Sequence, residues 1–436
     1  MRTLYTDTVE NYLILGGSFS FIGNETRRGV SRWDGFQFAE MDCGIGRCGT
    51  NVCPSVAAFA KNRFGFYMLA FSDSIGCERI NYVAKWNSIE WENIGFESYL
   101  DGTSFFPYYF SIVDDILFVA GRFDSIQGRQ AQGLAIWDGL RWDTSFIDPY
   151  RSFDNVGFGE CVRYRNDLIC HNILQDTAGG ILVIALWNGN HWVSVGGAFS
   201  NRANSISSVL VFKDELYVAG GFNRNLDPEA PGNSIARWNG ERWDDLNGGV
   251  FLNNNFYPGL VHDMVVYNDN LYVVGEFDHA GTLPANDIAI WDGSHWCTSV
   301  DSIEGYVSSA SIFHDSLFIG GGFLRIGGDS MPYLAKCKLD QVSDTCETVI
   351  GVPENIAATS FTVFPNPTDQ EISILRPHVA VQDQQIDLYD FLGRHLFSFI
   401  FHRSHQKVNL DISDLSPGIY FIYGNETGAK TRVVKY

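Results

Sequence analysis

Apolar and polar positions along residues 1–346 recur in a unit of about fifty residues, assembled from strand-length runs rather than helical periods. Each unit closes on W-[DN]-G-x-x-W or a near-copy. The leading position is Trp33, Trp86, Trp137, Trp187, Trp238 and Trp291, then Cys337 in an eroded seventh copy, at intervals of 53, 51, 50, 51, 53 and 46. About fourteen residues upstream stands a second run, Leu-x-apolar-small-Gly-x-Phe. Leu13–Phe19, Leu117–Phe123, Leu216–Phe222, Leu271–Phe277 and Leu317–Phe323 carry it, while the second and fourth copies are degenerate at Met68–Phe71 and Leu168–His171. In the sixth copy the pattern predicts strands near Val261–Tyr267, Leu271–Phe277 and Asp287–Trp291, and a fourth starting at His295–Trp296.

Asp-Gly or Asn-Gly between apolar residues signals a two-residue type I′ hairpin, because both central residues need positive φ. That turn sets the second Trp opposite the residue two before the first: Ser31, Ala84, Ala135, Ala185, Ala236, Ala289 and Ala335, all small. One residue earlier stand Val30, Val83, Leu134, Ile184, Ile235, Ile288 and Leu334, all aliphatic and on the opposite face. A strand apolar on both faces belongs to a sheet covered on both sides. Seven such sheets predict an all-β, seven-bladed β-propeller over residues 1–350, in preference to an open stack of the same sheets.

Composition adds an address. All 11 Trp fall in the repeat, so they read as architectural parts more than as ligand platforms. The net charge of −21, from 30 Lys+Arg and 51 Asp+Glu, argues against a nucleic-acid partner, which requires clustered basic residues. No run reaches the ~18 apolar residues of a membrane helix. Nine Cys without paired CxxC spacing point to disulfides in an oxidising compartment. Cys161 and Cys170 flank the turn centred on Arg165-Asn166 and face each other within disulfide reach, and Cys337 with Cys346 would staple the eroded hairpin. Cys43, Cys48, Cys53 and Cys77 form either two disulfides or, less favoured, a metal site; Cys297 has no evident partner.

Two resemblances follow. The segment from Phe277 to Trp296, with Ile288-Ala-Ile-Trp-Asp-Gly, resembles Kelch-like repeats of secreted bacterial proteins and covers about residues 1–346. This implies the propeller fold and says little of activity. After a linker at 351–360, residues 361–436 read as a small Ig-like β-sandwich. Its motifs are Phe364-Pro365-Asn366-Pro367, Tyr389 to Gly393-Arg394, Leu415-x-x-Gly418-x-Tyr420, and Lys430 with Lys435. In order and at the chain end they resemble the type A C-terminal sorting domain of the bacterial type IX secretion system, with Phe364 in place of the usual Tyr. The resemblance implies export by that translocon to the outer-membrane surface or medium of a Gram-negative bacterium. It also implies removal of the domain by a sortase-like peptidase, and a Sec leader upstream of Met1-Arg-Thr-Leu-Tyr, which has no apolar core of its own. From Asn355 to Tyr436 there are 8 acidic and 7 basic residues, net −1, so −21 − (−1) = −20 belongs to the repeats.

No GxSxG, HExxH or P-loop is present, and the repeated Asp34, Asp138 and Asp292 read as turn residues. Nothing local points to a copper site of Tyr, Cys and His, and no cofactor or metal is expected. In a propeller, the loops between the second and third strands share one end with the loops joining blades. That end carries Arg28, Asp124, Arg224, Asp278, His279 and Arg325, a mixed-charge face suited to a glycan or a surface protein. A binding or adhesion module is the leading reading. An extracellular carbohydrate-active hydrolase or lyase is the alternative, to be recognised by convergent carboxylates or a Tyr/His/carboxylate set.

Overall fold

The computed structural model describes the chain apart from residues 24, 47–53, 73, 78–79, 81, 97, 100–106, 124, 146–156, 176–180, 197–204, 223–229, 253–258, 299–301, 339–361, 365–367, 369, 376–382, 391–393, 425–429 and 436. Regular structure among the described residues is entirely β. None of it is a helix long and apolar enough to cross a membrane. The chain divides into two units, Met1–Thr348 and Val349–Tyr436.

The first unit holds seven principal antiparallel sheets whose strands follow chain order. Their first strands are Thr3–Asp7, Ser55–Asn62, Pro107–Val113, Gly157–Tyr164, Ser205–Phe212, Leu260–Tyr267 and Val307–Phe313. The sixth sheet continues through Asn270–Glu276, Ile288–Trp291 and Trp296–Thr298, within a residue or two of the sequence reading. Six sheets have four strands; the seventh has three described strands, ending at Leu334–Lys338. Each first strand packs beside the first strand of the next sheet, and Thr3–Asp7 packs beside both Ser55–Asn62 and Val307–Phe313.

Two-sided burial is the reason for this packing. The aliphatic and small positions of the third strands enter different cores: Ile288 packs between sheets six and seven, whereas Ala289 packs between five and six. Seven such inter-sheet cores exist among the described residues. The last joins Leu4, Leu13 and Leu15 of the first sheet to Phe313 and Phe318 of the seventh.

The Trp hairpin differs from the two-residue turn expected. The two aromatics of each repeat are direct cross-strand partners, Trp33↔Phe38, Trp86↔Trp91, Trp137↔Trp142, Trp187↔Trp192, Trp238↔Trp243 and Trp291↔Trp296. Their ring centroids lie 4.5–5.3 Å apart and tilted. The loop is therefore four residues long, and the small residue two positions earlier is a same-face neighbour instead of the partner; Ala289 pairs with Thr298. The cause is the Asp or Asn side chain. Asp34 Oδ1 accepts the N–H groups of Phe36 and Gln37, and Asn87, Asp138, Asn188, Asn239 and Asp292 repeat the arrangement. Capping two amides from one carboxylate favours the longer turn. The same bonds hold the exposed Asp34 and Asp138 carboxyls below their ordinary range. Two-residue turns with positive φ at both centres occur instead between first and second strands, at Asp114-Asp115, Lys213-Asp214, Asn268-Asp269 and His314-Asp315.

The second Trp also staples its sheet to the preceding one. Indole Nε1 of Trp91, Trp142, Trp243 and Trp296 donates to the carbonyls of Met41, Ile94, Val195 and Leu246, at 3.2, 2.9, 3.3 and 2.6 Å. Each donor lies 48–50 residues from its acceptor, one repeat away.

The second unit has a three-stranded sheet, Thr362–Phe364, Glu371–Leu375 and Lys407–Asp411. Its four-stranded sheet runs in the spatial order His395–Phe401, Gln384–Asp390, Gly418–Gly424 and Lys430–Lys435. Ile372 and Ile374 of one sheet and Ile386, Leu388, Tyr420, Ile422 and Val433 of the other share one core.

In the second repeat Ser88 occupies the turn position where the others have Gly. Its φ is +84°, against +96° to +108° for Gly35, Gly139, Gly189, Gly240 and Gly293. A side chain there strains the backbone. Ser88→Gly is expected to raise stability by about 1 kcal/mol, read as a higher urea midpoint at unchanged slope. An unmoved midpoint would show that the turn carries no strain.

Candidate functional site

The expected loop face is partly visible. Arg28 follows the hairpin of Phe21–Ile22 and Glu25–Thr26. Asp278 and His279 pair with each other, Oδ1 to Nδ1 at 2.7 Å, and the His279 ring stacks on Phe251 at 5.3 Å. Arg325 lies 3.7 Å from Glu304, its cross-strand partner. Asp124 and Arg224 fall outside the described residues. The segments leaving sheets two, five and six pair with the loop hairpins of sheets three, six and seven. His279 and Arg325 thus belong to small accessory sheets, and of the four described residues of this face Asp278, His279 and Arg325 have an ion or ring partner.

The cysteines are placed as follows. Cys161 and Cys170 are register partners joined by a disulfide, with Cα atoms 4.0 Å apart. Cys43 is bonded to Cys77, so the ligand set that these cysteines would form with Asp42 is closed by oxidation. Cys297, for which the sequence offers no partner, is disulfide-bonded, its partner lying outside the described residues. Cysteine spacing alone leaves its connectivity open. Cys337 pairs with Leu317 in the strand register, and Cys346 is outside the described residues.

A second constellation lies on the first strands, where no sequence motif marks it. Six of the seven carry a β-bulge at the same point. Just beyond it, in equivalent register, stand Ala58, Tyr109, Glu160, Ser208, Asp263 and Ser309, with Thr3 at that place in the unbulged first sheet. Glu160 Oε2 accepts the N–H of Val209 at 3.2 Å. Asp263 Oδ2 accepts Ala310 N–H at 3.0 Å and the Ser309 hydroxyl at 3.1 Å, and Oδ1 accepts Met264 N–H at 2.8 Å. Burial, and next the charge of Asp263, push Glu160 up to about 8; burial pushes Asp263 up to about 6. His171 faces the bulge. Its Nε2 accepts Glu160 N–H at 2.9 Å, its ring meets Tyr109 edge-on at 5.0 Å, and burial lowers it to about 3. A Cβ on Gly159 would lie 1.8 Å from this ring, so only glycine fits. Aligning the first strands on the repeat, rather than searching for motifs, would have exposed the set.

In the second unit, motifs distant in sequence meet at one lysine. Gly418 pairs with Lys435 in the ladder, and Thr368 bridges Lys435 from the other side. The Lys435 ammonium is buried. It donates to the carbonyls of Ile412 at 2.8 Å, Ser413 at 2.5 Å and Leu415. The Tyr420 hydroxyl donates to Ser416 O within the same turn. Three charge-assisted bonds satisfy the buried cation. Arg394 is exposed before His395–Phe401, while Pro365, Asn366, Pro367 and Gly393 lie outside the described residues.

Glu160, Asp263 and His171 make a pH test. The raised acids favour folding through their protonated forms, a contribution complete below the ordinary carboxylate range and lost as pH rises through about 6 and about 8. His171 acts oppositely, its contribution lost as pH falls toward about 3. Above about pH 7 imidazole is mostly neutral folded or unfolded, so from there to about 8 the change belongs mainly to Glu160 and to Asp287, which burial pushes up to about 7. Stability should fall across that interval, and Glu160→Gln, which keeps an acceptor for Val209 N–H, should flatten the fall. Equal slopes for both proteins would refute the assignment.

Comparisons with known proteins agree with the C-terminal reading alone. Residues 362–435 match the family described as the secretion system C-terminal sorting domain. No curated protein matches the chain in sequence. Among solved structures, a fungal alcohol oxidase of the AA5 family in complex with copper aligns at 11% identity and TM-score 0.27, over 88% of this chain and 95% of that one. Dimeric latent PorU from Porphyromonas gingivalis aligns at 10% identity and TM-score 0.15, over 76% of this chain and 32% of that one. Similarity at these levels carries no argument about fold or chemistry. The sorting domain does: this chain carries, at residues 362–435, the C-terminal address of the type IX secretion system, and is a secreted or cell-surface protein.

Proposed function

We propose that residues 1–350 form a closed, seven-bladed, Kelch-like β-propeller that serves as a binding module at or beyond the cell surface. The Ig-like sandwich of residues 361–436 delivers it through the type IX translocon, where a sortase-like peptidase removes the sandwich. The observation that carries the ring is a bond repeated across the seam. Val209 N–H on Glu160 and Ala310 N–H on Asp263 join sheets four to five and six to seven, and Leu4 N–H on Ser309, at 3.0 Å, joins seven to one. A second bond repeats likewise: Ser207 donates to Val261 O between sheets five and six, and Ser308 to Met1 O between seven and one. First and last sheets meet as internal neighbours do, which favours a ring over an open stack.

The raised, coupled acids Glu160 and Asp263 favour the second reading, an enzyme acting on polysaccharide. Binding is preferred because both carboxylates are spent on amides of the next sheet, where Ser309 performs the same task without charge. A glycan array run beside a reducing-sugar release assay separates the two. Binding without release is the expected result; release abolished by Glu160→Gln would establish the enzyme. Deleting residues 361–436 should trap the protein in the periplasm, and normal surface delivery without them would refute the role given to the sorting domain.

A further inference from the structure

The chain is strongly acidic, yet one of its cavities presents a single charged group among the described residues, and that group is a cation. The cavity has a volume of about 270 Å³ and lies beside the hairpin loop of the first sheet. Among the described residues, Arg28 is the only ionisable side chain on its wall. Ser18, Ser20 and Thr26 contribute hydroxyls, and Phe21 contributes a ring that is 64% exposed. Arg28 also borders a second cavity of about 210 Å³, whose wall carries Arg27, Glu40 and Asp42.

The neighbouring Arg27 shows what this protein does with a structural arginine. Its guanidinium is neutralised by Glu25 and, at 3.2 Å, by Glu40, and it also donates to Thr26 O. Arg28 is half-buried, and among the described residues its guanidinium has no carboxylate or carbonyl partner. Desolvating a cation without pairing it is costly, so a partly buried and unpaired guanidinium is a feature a fold retains poorly unless something else supplies the anion.

The backbone around Arg28 is held in place. Its carbonyl accepts Ile45 N–H at 2.9 Å. Gly44 lies so close that a Cβ there would come within 2.4 Å of Arg28 O and 2.8 Å of Arg28 Cβ. Gly44 O in turn accepts Gly76 N–H at 2.6 Å, and the disulfide between Cys43 and Cys77 clamps the two loops on either side of that bond. The guanidinium therefore projects from a rigid base, the condition for a preorganised site.

We propose that this cavity binds the carboxylate of an acidic sugar, a uronate residue within a longer chain. The guanidinium fork matches a planar carboxylate, the hydroxyls match sugar hydroxyls, and the exposed Phe21 ring offers an apolar face to the pyranose. Its volume falls below the ~300–1,000 Å³ of pockets for drug-sized ligands, which suits a single sugar residue. The proposal rests on the binding-module reading and names its ligand class.

The test is titration of the full chain with galacturonate trisaccharide, galactose trisaccharide, a sulfated trisaccharide and a Glu-rich peptide, at low and high salt. The uronate should bind best and weaken with salt. Arg28→Gln should weaken it by about tenfold or more, the scale of a lost hydrogen bond to a charged group, while Arg27→Gln, with its melting temperature checked, should retain binding within about twofold. Equal uronate binding by wild type and Arg28→Gln would overturn the site. Preference for the sulfated sugar or the peptide would overturn the ligand class. Binding of the neutral trisaccharide with no uronate preference would overturn this inference and leave the binding module standing, whereas silence across a whole glycan array would remove that module first.

Discussion

Each repeat makes a sheet that is apolar on both faces, and that constraint governs the first unit. Such a sheet cannot face water on either side. Burying one Leu, Ile or Val contributes about 1.5–3 kcal/mol, whereas an indole hydrogen bond contributes about 1 kcal/mol. Stacking of sheets is therefore driven by the aliphatic and small positions, and the tryptophan N–H bonds set the offset at which neighbours stack. In the proposed ring, the core shared by Leu4, Leu15, Phe313 and Phe318 covers the two faces that a linear stack would leave open.

Polar groups on the first strands are subordinate to that stacking. Glu160, Asp263 and Ser309 occupy one register position and do one job, accepting an amide from the adjacent sheet. Their enclosure raises the two carboxylates as a consequence of where they clasp. A perturbed acid is often a sign of catalysis. Here burial between the sheets accounts for it, the accepted amide bonds acting the other way, and Arg28, without an anionic partner among the described residues, is the stronger pointer to a ligand. The two arginines side by side make the contrast: one is closed by Glu25 and Glu40, whereas the other lines a cavity with no carboxylate among its described wall residues as well as one that holds Glu40 and Asp42.

The sorting domain shows a related economy. Leu415-x-x-Gly418-x-Tyr420 and Lys435 look like separate motifs along the chain, but the buried ammonium of Lys435 caps the turn from Ile412 to Leu415, and Lys435 is the ladder partner of Gly418. Much of what identifies the family is thus the framework of one corner, with Arg394 exposed elsewhere.

The sequence by itself determined the number of repeats, the strand order of the sixth copy within a residue or two, the two-faced burial and the export address. These depend on local periodicity or on motifs in chain order, which a single chain displays directly. The Cys161–Cys170 bridge was legible for the same reason, since nine residues of hairpin bring the two together. Tertiary structure alone decided the rest. The Trp turn lengthened to four residues because an Asp oxygen caps two amides, a choice between local geometries that the Asp-Gly pair leaves open. The clasps of Glu160 and Asp263 depend on residues one repeat away, and only folding brings those within hydrogen-bonding reach.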